Sequence, residues 1–334
     1  MGPPAYVLLV KPDLLYETLL RYRVSAVLRA AIELDCFSAV AEGKRTPAEI
    51  ASSRGGTERS VRILLDAVAA SLPQVLTKAG RRYRLTPLSR RYLVRAGRDF
   101  VGPMMPLFGH RLMWDAFQNL PAAVRAGTSV LDRNAHAANQ AFWEDYARAT
   151  SRDAVPKARK MLRLIGRVRA PCEVLDLACG SGAYGSTLAR GIPGARVTFF
   201  DQANVLAVTR KLVDVPAQYI EGDLFSTPFG GPYDIVIASH VFHHFDREEC
   251  LVLARKTADA IKAGGRLVVQ EFVPDEKRSR RIHPLLFAVT MLVWTRAGDA
   301  YTFSDYRRWF SAAGLRKITF HPLSLPGDFI LATK

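Results

Sequence analysis

The chain of 334 residues is 49% hydrophobic and 23% charged, a globular balance with enough length for two domains of ~100–200 residues each. An aromatic content of 10% and a mean hydropathy near zero exclude a disordered or fibrous protein. Four scattered cysteines (Cys36, Cys172, Cys179, Cys250) form no Cys-x-x-Cys pair, which excludes a disulfide scaffold or zinc ribbon and points to a reducing cytoplasm. The net charge of +16 is uneven: residues 1–170 hold 28 Lys/Arg against 14 Asp/Glu, and residues 171–334 hold 19 against 17. That asymmetry raises nucleic acid or an acidic carrier protein as partners, beside the plainer reading of a solvated arginine-rich face.

The first twenty residues carry no basic stretch ahead of their short apolar run, so no signal peptide is expected. Over residues 14–41 the apolar positions recur at three and four (Leu15, Leu19, Tyr22, Ala26), which predicts amphipathic helices. Thr46-Pro47-Ala48-Glu49 predicts a helix start: Thr46 can cap, Pro47 takes the first helical position and Glu49 lies three residues past the cap. A second helix follows over 60–70, and residues 75–77 and 82–86 flank Ala79-Gly80 as a small hairpin. Helix, turn, helix, hairpin is a winged-helix outline. Residues 100–165 again read as helices, rich in large apolar groups such as Met105, Phe108, Trp114, Phe142 and Tyr146.

From about residue 165 strands alternate with helices, the grammar of a parallel sheet covered on both faces. Strands are predicted at 173–178, 196–201, 218–223, 233–239 and 265–273, with a closing antiparallel pair at 317–322 and 328–333. Helices are predicted from about Gly182, over 246–262 and over 303–313. The longest apolar run, PLLFAVTMLVW over 284–294, is shorter than the ~20 residues that span a bilayer and reads as a buried helix, so no membrane span is expected.

The most informative segment runs from Val174 to Gly185, VLDLACGSGAYG, a strand leading into a glycine-rich turn at the lip of a helix. Gly180 and Gly182 let a ligand approach the backbone closely, although dinucleotide folds use the same device. Three acids sharpen the signal. Asp176 ends the first strand where a dinucleotide fingerprint asks for no acid, Asp201 ends the second where it can accept both ribose hydroxyls, and Gly222-Asp223-Leu224-Phe225 ends the third where it can hold an adenine. On these residues the chain resembles the class I S-adenosylmethionine-dependent methyltransferases. More narrowly it is similar to the two-domain small-molecule O-methyltransferases, the plant caffeate and hydroxyindole enzymes and their bacterial natural-product relatives. Ala178 stands where the family pattern has its first glycine.

The resemblance implies an α/β fold: a Rossmann-like seven-stranded methyltransferase domain over 165–334, an N-terminal, mostly helical winged-helix dimerisation domain over 1–100, and linking helices over 101–164 that contribute to the acceptor pocket. It implies S-adenosylmethionine as cofactor, a small aromatic or polyketide-like acceptor, and a homodimer. His243, in the run SHVFHHFDREEC, falls on the family's general base, and an imidazole can take the proton of a phenol or enol as its oxygen attacks the methyl group. Glu271 matches one of two glutamates that orient that base, the second falls on Ala300 with Asp299 one residue away, and Ser239 stands where the family has a cofactor-contacting lysine. The acceptor is expected among Met105, Phe142, Tyr146, Phe287 and Met291, with His240 and His244 as further substrate contacts or caps of the next helix. Such apolar stripes are equally the stuff of an ordinary core. Three imidazoles at His240, His243 and His244 offer a metal reading, but no supporting carboxylate pattern accompanies them and no metal is expected. Two rivals remain in view: methylation at an enol or phenol carbon with the same base, and a winged-helix nucleic-acid binder. Against the latter, the second helix carries Glu58 and Asp66 beside Arg59 and Arg62.

Overall fold

The computed structural model describes residues 13–97, 99–131, 140–323 and 327–334, with the backbone alone at 140–146 and 152. These residues divide into two compact units that meet between Met105 and Pro106.

In the first unit the predicted local signals become structure. Thr46 accepts from the Glu49 N–H while Glu49 Oε2 accepts from the Thr46 N–H at 2.8 Å, a complete capping box at the start of helix Pro47–Arg54. Thr57 builds a second box and starts helix Glu58–Ser71 two residues earlier than the pattern predicts. Strands β1 (Leu76–Ala79) and β2 (Arg82–Leu85) form the hairpin. The core gathers Ile32, Phe37, Ile50, Leu65, Leu76 and Tyr83, and Met105 packs at its margin. Three basic groups around the second helix pair locally: Arg62 and Lys78 both with Asp66, and Arg81 with Glu58. No helix among the described residues is long and apolar enough to cross a membrane.

The second unit holds a seven-stranded sheet of β3 (Cys172–Leu177), β4 (Ala195–Asp201), β5 (Ala217–Glu221), β6 (Tyr233–Ser239), β7 (Ile261–Glu271), β8 (Arg316–His321) and β9 (Asp328–Thr333). Their order is β5-β4-β3-β6-β7-β9-β8, parallel through β7, with β9 antiparallel to both neighbours. The central strands are apolar on both faces, as a doubly covered sheet demands. Val174, Phe199, Ile235, Ile237 and Val268 pack on one face with Ala158 and Met161 of the long helix Gln140–Ile165. Leu175, Phe200, Val236, Ala238 and Leu267 pack on the other with helices Arg247–Asp259 and Phe303–Ala312.

Several elements differ from expectation. Helix Ala203–Leu212 stands between β4 and β5, where no helix is predicted. The strand β7 begins at Ile261 rather than 265, because a register shift lets Ile261 pair with Tyr233 ahead of the main ladder. The apolar run over 284–294 does form helix Ile282–Trp294, but it is not a buried helix: only Pro284, Met291 and Val293 are buried, while Leu286 is 61% exposed. One stripe packs on helices Arg111–Gln118 and Leu120–Ala126 through Val293, Leu292 and Trp294 against Ala116 and Ala123.

Ala178, directly after β3, has φ +50°. An L side chain there costs about 1–2 kcal/mol, partly offset by the backbone entropy that glycine brings to the unfolded chain, about 0.5–1 kcal/mol. Ala178→Gly should therefore raise the melting temperature by roughly 1–3 °C; a lower value in thermal denaturation would show that the turn is unstrained.

Candidate active site

The order of strands reverses between β3 and β6, so the crevice at their carboxyl ends is where an open sheet of this kind receives ligands. On the β3 side the chain turns through Ala178, Gly180 and Gly182, all with positive φ, into helix Ala183–Gly191. Gly182 is obligatory on two counts: its φ is +70°, and a Cβ there would lie 2.6 Å from Val213 Cγ2. Above Gly180 the same construction meets nothing within 4 Å, which leaves room for a ligand.

The acids around this turn divide their work. Asp176 is buried beneath it, where Oδ2 accepts the Gly185 N–H at 2.7 Å, so it holds the turn rather than facing the crevice. Burial pushes its carboxyl up to about 8, against the opposing pull of that N–H. Asp201 accepts the Gly180 N–H at 3.0 Å on Oδ2 and the Gln202 N–H at 2.8 Å on Oδ1, and burial raises it to about 6. Each of its oxygens keeps a further lone pair, the pattern a vicinal diol needs. At the end of β5, Gly222 donates to the Asp201 carbonyl at 3.1 Å. Asp223 Oδ1 accepts from the N–H groups of Phe225 and Ser226 and from the Ser226 hydroxyl. Burial works to raise the Asp223 carboxyl, but these donors win and hold it below the usual range. Lys256 ties this loop down through the Leu224 and Thr227 carbonyls at 2.8 and 2.7 Å, and Phe225 packs edge-on against Phe245 at 4.9 Å. The Ser239 hydroxyl, at the tip of β6, is buried without a hydrogen-bond partner among the described residues.

On the other side of the crevice a short 3₁₀ turn, Phe242–His244, follows β6. Phe242 is fully buried against Tyr306, Trp309 and Phe310, and this anchor fixes the turn so that His243 faces the end of β7. There His243 Nδ1 lies 2.6 Å from Glu271 Oε2, and both groups are buried. Burial pushes His243 down to about 3 and Glu271 up to about 7. Once Glu271 is ionised it accepts the Nδ1 proton of a neutral imidazole, which leaves Nε2 as a free base. The Phe287 ring stands edge-on to His243 at 4.8 Å, and His244 lies 4.3 Å from it on the exposed side. His240, His243 and Glu271 each bring one ligating atom within 4.8 Å of the others.

Ala300, at the position expected for the second glutamate, is buried and offers His243 nothing polar. The Asp299 carboxylate turns away to a two-pronged ion pair with Arg278 at 3.1 and 3.3 Å. Its backbone does the holding instead: the Asp299 N–H donates to the His243 carbonyl at 3.1 Å, and a Cβ on Gly298 would sit 2.2 Å from that oxygen. Gly298 and Arg278 hold this loop beside His243, and sequence reasoning did not single them out. The signal for Gly298 is a glycine two residues before the expected glutamate position.

A model of the O-methyltransferase domain matches residues 124–316, and one of the O-methyltransferase dimerisation domain matches residues 16–95. The chain belongs to the O-methyltransferase family. Its similar relatives include the acetylserotonin O-methyltransferase of Mus musculus, 29% identical over 89% of this chain and 82% of that protein. Another is the 3-hydroxy-5-methyl-1-naphthoate 3-O-methyltransferase of Streptomyces sahachiroi, 26% identical over 95% and 93%. Among solved structures, a candidate O-methyltransferase from Nostoc punctiforme superposes with a TM-score of 0.91 at 30% identity, covering 97% of this chain and 99% of that one. Human N-acetylserotonin methyltransferase, solved in complex with SAM, gives 0.84 at 26% identity over 100% and 99%. As an O-methyltransferase the chain brings together the expected glycine turn at Gly180 and Gly182 and the strand-end acids Asp201 and Asp223, with Ala178, Ser239 and Ala300 at the positions where the sequence reading expects other residues. Of the expected acceptor contacts, Phe287 stands beside His243, Met291 is buried in the same helix, and Met105 packs in the first unit. The side chains of Phe142 and Tyr146 lie outside the described residues.

Because Glu271 is raised from about 4.5 to about 7, its contribution to stability is complete below pH 4.5 and is lost as pH rises through 7. Glu271→Gln should therefore be more stable than the parent at pH 8, by roughly 1–3 kcal/mol, with the difference shrinking towards pH 4.5. Urea denaturation at the two pH values checks this, and an equal gap at both would refute it.

Proposed function

We propose that this O-methyltransferase moves the methyl group of S-adenosylmethionine onto a hydroxyl of a small flat aromatic or polyketide-like metabolite, with His243 as general base. The observation that carries the reading is the buried His243–Glu271 pair at the mouth of β6 and β7. A histidine oriented by a buried carboxylate, with its second nitrogen free, has the arrangement of a base rather than of a core residue.

The residues around the glycine turn fit the cofactor. Asp201 has two acceptor sites to spare for the ribose hydroxyls, Gly180 leaves space above its backbone, and Asp223 with Leu224 and Phe225 forms a polar and apolar seat for the adenine. The unpartnered Ser239 hydroxyl supplies a further contact in place of the family's lysine. When bound, S-adenosylmethionine supplies a sulfonium methyl that leaves its sulfur as a neutral thioether, so the protein needs no acid for the leaving group. Its own tasks are alignment and proton removal. Nε2 of His243 takes the hydroxyl proton as the acceptor oxygen bonds to the methyl carbon, and Glu271 stabilises the resulting imidazolium through Nδ1–H. Phe287 and Met291 give the acceptor an apolar wall. Two copies pair through the first unit, whose helix Asp13–Leu20 leaves Leu14, Leu15, Tyr16 and Leu19 exposed.

His243→Ala should lower kcat by about 10²–10⁴ while leaving cofactor affinity intact; undiminished turnover would remove His243 from the role. In the parent, kcat should climb with pH through an inflection near 7, where the dyad reaches the ionised-carboxylate form. Asp201→Asn should weaken S-adenosylhomocysteine binding by about 10–100-fold in calorimetry, the value of one or two hydrogen bonds to a charged group, and an unchanged Kd would refute the assignment.

A further inference from the structure

Helix Ile282–Trp294 carries Phe287, whose ring stands edge-on to His243 at 4.8 Å, and one side chain fastens the segments at its two ends. Arg278, ahead of the helix, grips the Asp299 carboxylate behind it at 3.1 and 3.3 Å and donates a third bond to the Ala300 carbonyl at 2.8 Å. From there the connection reaches His243 through the main chain. The Asp299 N–H donates to the His243 carbonyl at 3.1 Å. The neighbouring Gly298 N–H donates to Thr295 Oγ1, which itself donates to the Met291 carbonyl in the last turn of the helix. A ring of contacts thus closes around the base: Glu271, at the end of β7, holds its imidazole, and Arg278, in the loop after β7, holds the segment that bonds its backbone.

Arg278 differs from an ordinary surface arginine in how it is held. Its backbone is left-handed, φ +50°, a conformation that a residue other than glycine keeps only where its surroundings over-determine it. Those surroundings are a turn built on Asp275. The Asp275 carbonyl accepts the Arg278 N–H at 2.8 Å, and its carboxylate accepts the N–H groups of Ser279, Arg280 and Arg281. These donors hold the Asp275 carboxyl well below the usual range. Arg281 then anchors the turn to the sheet through a two-pronged pair with the buried Asp328 at the start of β9. Arg278 is therefore a rigidly mounted fork, and its planar donors serve two neighbouring acceptors in a way that a lysine cannot copy. With side chains 34% and 36% exposed, the Arg278–Asp299 pair adds little to global stability. What it contributes is placement.

We propose that Arg278 is a positioning residue for methyl transfer: by clasping the two ends of helix Ile282–Trp294 and, through the Asp299 N–H, the His243 carbonyl, it holds the base and the apolar wall of the acceptor in one frame. This rests on the reading of His243 as base given above. Without the guanidinium the loop over 298–300 drifts, the His243 carbonyl loses a fixed donor, and the Nδ1–H bond to Glu271 opens more often to water.

The deciding readout is the low-field proton resonance of His243 Nδ1–H. It is recorded on the full-length protein, labelled with 15N-histidine and saturated with S-adenosylhomocysteine, at pH 8, where Glu271 is ionised. The parent should show this resonance and His243→Ala should lack it, which assigns it. In Arg278→Ala it should broaden or vanish through faster exchange with water, and in Arg278→Lys it should partly return. S-adenosylhomocysteine affinity should stay unchanged in both variants, and the melting temperature should fall by no more than about 4 °C, the scale of an exposed ion pair. With 2-naphthol as the probe acceptor, kcat should fall about 10–100-fold in Arg278→Ala, the effect of a displacement of about 1 Å, and partly recover in Arg278→Lys. A merely structural role would lower cofactor affinity and melting temperature together and leave the resonance sharp. A resonance absent from the parent or equally sharp in Arg278→Ala overturns the proposal, as does an unchanged kcat in that variant. The resonance needs no acceptor, so it decides even where 2-naphthol is not turned over. An Arg278-dependent resonance in a protein whose His243→Ala variant methylates at the parent's rate would instead overturn the reading of His243 as base.

Discussion

The 2.6 Å contact between His243 Nδ1 and Glu271 Oε2 is the constraint on which the rest of the site depends. Alone, neither group belongs in the interior: a fully buried carboxylate or imidazolium loses several kcal/mol of hydration. Paired, the two share a hydrogen bond, so the net charge of the pair is −1 with a neutral imidazole and zero with an imidazolium. The cost of burial is thereby turned into chemistry, because an imidazole whose Nδ1–H is occupied has only Nε2 left to take a proton. The fold supplies this pair from two neighbouring parallel strands. The end of β7 gives Glu271, and the turn after β6 gives His243, locked by Phe242 in the aromatic core beneath it.

The cofactor half of the crevice follows a different rule. Its carboxylates are held by backbone N–H groups rather than by cations, since Asp176, Asp201 and Asp223 each accept from the main chain of the turn they support. Such bonds fix loop geometry without adding a positive charge that would repel a sulfonium. The division between Asp176 and Asp201 is also structural. One lies under the turn and keeps its shape, and the other lies at its rim with acceptor capacity to spare. Lys256, the nearest cation to the Asp223 loop, spends its donors on two carbonyls behind it.

In the loop over residues 298–300, Ala300 brings no polar side chain to His243, and the main chain makes the contact instead. The Asp299 N–H donates to the His243 carbonyl, with Gly298 allowing the close approach. Arg278 holds the loop by gripping both the Asp299 carboxylate and the Ala300 carbonyl. Among the described residues the hydrogen bond on the imidazole ring itself comes from Glu271, and the Phe287 and His244 rings pack against it.

The sequence by itself determined the elements with strong local causes. Capping at Thr46, the hairpin at Gly80, the alternation of strand and helix, and the strand-to-glycine turn at Asp176–Gly182 all arise from short-range sterics and periodicity, so a linear reading reaches them. The resemblance carried by the glycine turn and the Gly222–Phe225 motif also reached His243 and Glu271, because each sits at a fixed offset from a recognisable strand end. Tertiary structure alone decided what depends on neighbours distant in the chain. It set Asp176 beneath the turn, left Leu286 exposed on a helix whose continuous apolar run predicted burial, and began β7 early through pairing with Tyr233. It also brought Gly298 and Arg278 to the loop beside His243 and gave His240 a left-handed backbone. Hydrogen-bond partners and desolvation are properties of three-dimensional surroundings, and residues 28 or more positions apart acquire them only when the sheet closes.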